Sequence, residues 1–393
     1  MLSPRKRPVL FLSTASIVLL TLAGCAPASP DGSEEGPIKI GAVSSLTGPA
    51  PFPEVPAAAQ AVFDRVNASG GINGRQIEFI SVDDGADPAL ASKAARRLID
   101  EDQVVALVGS ASLVECTVNS TFYAQEGVVS VPGIGVEPAC FASANIAPVN
   151  NGTVQGFANL LFYASEELGN TRVCPVILKS PGLTEPYLDL IERWEEATGS
   201  TAPLVDTSVS FGDDPTPAIL AVRDAGCDAV VFNANEPIAV AFMNTVKRQG
   251  LLEGIDWLTL TSAYSESVAT ELERQGTLGL YANSEFLPFT TDDSRLDDWR
   301  STLNKAEVPL TSLSMGGFVS AEILVDVLSS IDGPITRESV TVAFTTMSEI
   351  AHPLLGMPYV FGPGDAHLPN RSSQMVQVTE SGWVTVRGWA VGQ

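Results

Sequence analysis

The side chains able to do chemistry in this sequence cluster behind short apolar runs. Ser110 and Ser112, with Ala111 between them, follow the run 104–108 and precede a helical stretch. Hydroxyls and free N–H groups at a helix start can hold a carboxylate or another acceptor, and the same serines can equally serve as helix caps. Leu183 and Thr184 follow the run 173–178, Asn233 and Asn235 follow 229–232, and Ser262 and Tyr264 follow 257–260. Amides, hydroxyls and a phenol suit non-covalent recognition in a half-wet pocket. Phe52, in the loop after 38–43, offers a ring that either covers a ligand or packs under Pro51 and Pro53.

Catalytic patterns are missing. No Gly-x-Ser-x-Gly elbow, P-loop or His-Glu-x-x-His is present, and His352 and His367 stand in no motif that would activate a cysteine. The acid pairs Asp83-Asp84 and Asp213-Asp214 read as turn residues. Five cysteines and two histidines leave little material for zinc or haem, so no metal or cofactor is expected. A net charge of −24 argues against nucleic acid, whose phosphates need a basic face. With 393 residues, 45% of them hydrophobic and 17% charged, the chain is globular and sized for two domains or one large one.

The amino terminus is an address. Arg5, Lys6 and Arg7 precede a 14-residue apolar run, 9–22, too short to span a bilayer comfortably and flanked like a secretory signal. It ends in Leu22-Ala23-Gly24-Cys25, which resembles a bacterial lipobox, the signal whose cysteine is diacylated and becomes the mature N-terminus. The expected organisation is a lipoprotein signal peptide over 1–24, a lipid anchor on Cys25, and a flexible tether over 25–36. That places the folded body at the extracytoplasmic face of the cell membrane.

Export changes how the other cysteines read. Cys116, Cys140, Cys174 and Cys227 form an even set in an oxidising compartment, which favours two disulfides over four buried thiols. Cys174 lies in one strand and Cys227 just ahead of another, so their sulfurs meet if those strands are parallel neighbours. Cys116 and Cys140 would close a loop of about 24 residues, worth roughly 3 kcal/mol in the chain-entropy model.

Positioning these groups falls to alternating strands and helices. Strands are expected over 38–43, 77–82, 104–108 and 128–131, with helices over 57–67 and 88–102 between them. In the first helix the apolar positions 58, 61, 62 and 66 share one face. The rhythm restarts with helices over 154–168, 186–198, 218–225 and 237–249, and strands over 173–178, 229–232 and 257–260. Three more helices, over 296–304, 317–330 and 337–346, precede a tail of strands and turns. Such alternation implies parallel sheets covered on both faces.

Several of these segments carry a family resemblance. They are Ile38-Lys39-Ile40-Gly41-Ala42 running into Leu46-Thr47-Gly48-Pro49, Gly70-Gly71-Ile72-Asn73-Gly74, and Asp83-Asp84 with Asp87-Pro88. The run 104–109, Gly226-Cys227-Asp228-Ala229-Val230 and Phe361-Gly362-Pro363 continue it. In order and spacing they resemble the branched-chain-amino-acid-type periplasmic binding proteins over residues 37–393. With the lipobox, the chain resembles a lipoprotein solute-binding component of an ABC importer. The resemblance implies an α/β fold: two doubly wound parallel-sheet lobes joined by a three-crossing hinge, the type I periplasmic binding protein fold. It implies one lobe of residues 37–153 plus 287–350 and another of 154–286 plus 351–393. It also implies a small-molecule ligand held between the lobes by hinge closure, and permease subunits as partners.

In the resembled family, the loop that matches Ser110, Ala111 and Ser112 supplies serine and backbone contacts to the ligand, Ser112 being the best match. The next loop usually carries Ala-Thr, whose threonine grips an α-ammonium; here it reads Ile134-Gly135. Where an acid usually faces that ammonium stands Ser262, with Glu236 or Glu266 as substitutes if the alignment shifts by a few residues. Both departures point away from a plain α-amino acid, since a buried ammonium without an acid loses its compensation. An amino-acid-like, amide or carboxylate solute is expected. A sensor that signals to a membrane partner without transport would bind identically. The absence of a spanning segment after the leader favours the importer.

Overall fold

The computed structural model describes residues 36–179, 182–210 and 212–392. The leader, Cys25 and all but the last residue of the tether lie outside the described residues. The first sheet is built on β1 (Ile38–Ser44), whose Ile38, Ile40, Ala42 and Val43 are wholly buried, as in a strand covered on both faces. A turn leads into α1 (Glu54–Ala68), then β2 (Ile77–Asp83), which pairs in parallel with β1. Asp87 accepts the Ala89 and Leu90 amides (2.8 and 3.0 Å) and so starts α2 (Pro88–Arg96), which a π turn extends through Arg97–Glu101.

β3 (Ala106–Val108) pairs on the other side of β1. β4 (Ala111–Ser112), α3 (Glu115–Glu126), β5 (Ser130–Val131) and β6 (Ile134–Gly135) follow. The sheet order is β2-β1-β3-β5, while β4 and β6 form a separate two-stranded pair.

After α4 (Gly152–Phe162) the alternation begins again with β7 (Val173–Val176), α5 (Thr184–Thr198), α6 (Thr216–Ala225) and β8 (Ala229–Phe232). It continues through α7 (Glu236–Arg248), β9 (Asp256–Thr259), α8 (Glu266–Gln275) and β10 (Tyr281–Ser284). The chain then returns α9 (Asp297–Lys305), α10 (Ser312–Ser329) and α11 (Arg337–Thr345) to the first sheet. The tail adds β11 (Ser372–Thr379) and β12 (Gly382–Val391) to the second, giving β12-β11-β10-β9-β8-β7. β7 to β10 run parallel, whereas β11 pairs antiparallel with β10 and with β12, the latter across a hairpin closed by the two residues Glu380 and Ser381.

The α1–α10 contact depends on glycine. A Cβ on Gly317 would lie 1.9 Å from the Val55 carbonyl oxygen, and one on Gly316 would lie 2.4 Å from that of Gly133. α10 is long and apolar enough to cross a membrane, yet most of it is buried as a core helix.

Both disulfides pair as the sequence suggested. Cys116–Cys140 ties the start of α3 to the loop after β6, and Cys174–Cys227 joins the neighbouring β7 and β8 regions. Three crossings connect the sheets, near residues 149–152, 285–289 and 369–372, and they are bound to one another. Asn370 Nδ2 donates to the Val149 and Glu285 carbonyls (3.2 and 2.9 Å), and the Asn151 amide donates to Glu285 Oε2 (2.9 Å). The segment after α11 stays against the first half: the Tyr359 hydroxyl donates to Ala147 O (2.8 Å), and Phe361 packs on Phe344.

Candidate functional site

A cavity of about 760 Å³, mouth included, opens between the carboxyl ends of the two sheets. That is where an open parallel sheet exposes its loops and its unpaired strand ends. Phe52, Leu113, Ile134 and Leu313 form the wall on the first half, and the cavity is lined mostly by apolar atoms. The opposite wall carries Leu183, Tyr187, Asn233, Asn235, Ser262 and Asn283, and the crossings contribute Asn150, Thr153 and Glu285.

Many of these polar groups shape the wall. Asn233, just past β8, clasps Leu178 by accepting its N–H (2.7 Å) and donating to its carbonyl (3.2 Å). Asn235 caps α7 by accepting the Ile238 amide (3.4 Å). The Ser262 hydroxyl donates to Ala234 O (2.6 Å), lashing the loop after β9 to the loop after β8. Asn150 forms the same two-way clasp with the Gly135 backbone (2.8 and 3.1 Å).

Glu285 is the one carboxyl on the cavity wall among the described residues. It sits at the amino end of α4, where its carboxylate takes the Asn151 amide. Burial pushes it up to about 7, against the opposing pull of the Asn151, Asn150 and Gly152 donors.

The other sequence candidates are placed elsewhere. Ser112 Oγ accepts the Val114 and Glu115 amides (3.0 Å each) and donates to the Asp84 carboxylate, so it caps the start of α3. Ser110 is buried, its carbonyl accepting the Ile134 amide (3.2 Å), and Ala111 is held in β4 opposite Ile134. Gly135 is occupied by Asn150, and a Cβ there would lie 2.5 Å from Pro148. Thr184 is the first residue of α5, off the cavity wall.

Tyr264 turns into the core. Its ring packs on Phe289 and Trp383, its hydroxyl meets Thr290 Oγ1 (3.0 Å), and burial raises its ionisation well above the usual phenol range. Glu236 and Glu266 open α7 and α8 and do not line the cavity. Asp83 and Asp84 organise the loop after β1: Asp83 accepts the Leu46 amide (2.9 Å) and the Thr47 hydroxyl (2.7 Å), and Asp84 accepts the Ser45 hydroxyl (2.8 Å).

Besides Leu113, Thr153 and Leu313, the wall residues Asn150, Tyr187, Asn283 and Glu285 escape sequence reasoning. The signals for them are weak. Asn150-Asn151-Gly152 is a turn tripeptide, and Asn283-Ser284-Glu285 is a polar run at the end of a strand with no apolar pattern.

The sequence model of the family described as "Periplasmic binding protein" matches residues 37–382. Among solved structures, an ABC transporter substrate-binding protein from Sphaerobacter thermophilus superposes with a TM-score of 0.78 at 19% identity, covering 91% of this chain and 98% of its own. A fatty acid ABC transporter substrate-binding protein from Thermomonospora curvata gives 0.75 at 20% identity, covering 93% and 96%. An amino acid binding protein of Pseudomonas aeruginosa is 38% identical over 77 residues, 19% of this chain. The match spans about a fifth (20%) of that protein's length. With the family model matching most of the chain and its fold that of those solved structures, the chain belongs to the periplasmic binding protein family, whose members bind solutes and are not enzymes.

Proposed function

We propose that this chain is a lipid-anchored, extracytoplasmic solute-binding protein that captures a small organic solute between its lobes and delivers it to the permease subunits of an ABC importer. The cavity carries this reading. Its walls come from both halves of the molecule, and its floor is the crossing segments, so closing the halves encloses a ligand and opening them releases it. The leader and Cys25 support the anchor, and the solved neighbours named as transporter components support the importer role. One neighbour is named for a fatty acid and the curated relative for amino acids, so the solute class has to come from this cavity itself.

A thermal-shift screen over amino acids, amides, carboxylates and aromatic acids tests the reading. A solute at 100 times its Kd adds about 2.7 kcal/mol to stability, a plainly visible shift. The bound solute is recovered unchanged. Consumption of the solute, or silence across a broad screen of small organic molecules, would overturn the reading.

A further inference from the structure

Granting the solute-binding reading above, we infer that the cavity takes a neutral, largely apolar molecule bearing a carbonyl of the amide kind, received by Asn283 Nδ2 and the Tyr187 hydroxyl. Both residues line the cavity and both are buried, with exposures of 1% and 0%. Neither atom has a hydrogen-bond partner in the protein. Asn283 spends its oxygen on the Thr261 amide (3.0 Å), which fixes the side chain so that its NH₂ is the free end. The hydroxyl of Tyr187 lies beside Thr153 and Asn233 but forms a hydrogen bond with neither. Thr153 donates to Val136 O (3.1 Å), and Asn233 clasps the Leu178 backbone through both ends of its amide.

Buried polar groups in folded proteins are almost always paired, so two orphans on one cavity wall mark where a ligand supplies the missing partner. The chemistry of that partner follows from the orphans. An amide NH₂ only donates, and a phenol donates readily, so the ligand presents an acceptor to them. An ammonium has no lone pair to offer. A carboxylate would be buried with no Lys, Arg or His among the described lining residues, on a wall that already holds Glu285. A neutral carbonyl meets both donors without importing a charge, and the remaining lining of Phe52, Leu113, Ile134, Leu183 and Leu313 accepts an apolar body.

The test uses the full-length protein in detergent and two matched probe series: hexanamide, hexanoate and hexylamine, and benzamide, benzoate and benzylamine. We expect the amide of at least one series to raise the melting temperature and to bind at least tenfold more tightly than its acid and its amine. Tyr187→Phe and Asn283→Asp should each weaken that amide at least tenfold. Asp at 283 keeps the acceptor for the Thr261 amide while removing the donor. Tyr187→Phe should also raise the melting temperature of the ligand-free protein, because it deletes a buried hydroxyl that no protein group satisfies. A tyrosine serving only the fold would lower it. Tighter binding of an acid or an amine, or unchanged affinity in both variants, would overturn the inference. Silence with all six probes would overturn it too. In that case a hit elsewhere in the broad screen leaves the solute-binding reading standing, and silence in both brings down both.

Discussion

A buried carboxyl with no cation is a liability that pH exposes. Glu115 at the start of α3 accepts the Tyr123 hydroxyl (2.8 Å), and burial pushes it up to about 8, with Asp84 and Glu137 adding to the shift. Glu285 is raised to about 7 for the same reason. Both acids hold their protons in the folded state over a range where the unfolded chain, with an ordinary value near 4.5, has released them. The folded state then binds more protons, so stability is fully present below pH 4.5 and falls as pH rises towards 7 and 8. Each group contributes a slope of about 1.4 kcal/mol per pH unit while its protonation differs between the two states. Glu115→Gln retains the oxygen that Tyr123 needs. We expect urea midpoints for this variant that vary less between pH 5 and pH 8 than wild type and lie above it at about pH 8. A wild-type midpoint with no downward slope over that range would show that Glu115 stays ionised.

At the scale of elements, close approach of helices decides more than side-chain volume. Gly317→Ala would push a methyl into the Val55 carbonyl, and neither backbone can yield without moving α1 off α10. Overpacking of this kind costs typically 1–3 kcal/mol, visible as a lower urea midpoint with unchanged slope. Parity with wild type would mean the helices are further apart than described. The strands were legible where buried apolar runs form them: β1, β7, β8 and β9 read directly from Ile, Val, Leu and Trp. β10 was not, because Tyr-Ala-Asn-Ser has neither a run nor an alternation, and only its place between β9 and β11 makes it a strand. The site divides the same way. Residues in the segments that follow legible strands, such as Asn233, Leu183 and Ser262, reach the cavity because strand ends point there. Asn283 and Glu285 reach it from β10 and the crossing that follows, and Tyr187 from the first turn of α5, positions that tertiary packing assigns. Ser112 had two possible roles in the sequence. The choice turned on Asp84, which binds its hydroxyl proton and leaves its lone pairs to the α3 amides.

Across the whole molecule, each covalent tie lies on one side of the cavity. Cys116–Cys140 belongs to the first half and Cys174–Cys227 to the second, so among the described residues only the crossings join the two covalently. Asn283 is two residues from Glu285, which binds the first crossing through the Asn151 amide. A ligand held by Asn283, as inferred above, would sit beside the second crossing and its tie to the first. α10 has a consequence of a different sort. An exported chain threads the secretion channel unfolded, and a segment that could rest in lipid risks leaving it sideways. Within α10 stand Glu322 and Asp326. In the folded protein Glu322 receives Arg65 and His352, but an acidic side chain near the middle of an apolar segment also costs on the order of 3 kcal/mol to place in a bilayer. Replacing both acids by leucine in a Cys25→Ser background should strand a fraction of the chain across the membrane, resistant to carbonate extraction. Complete release of that variant would limit the two acids to folding. The acid that fastens α10 to α1 in the folded protein would thus, on the proposed export route, also act earlier, keeping out of the bilayer the one described helix long and apolar enough to cross it.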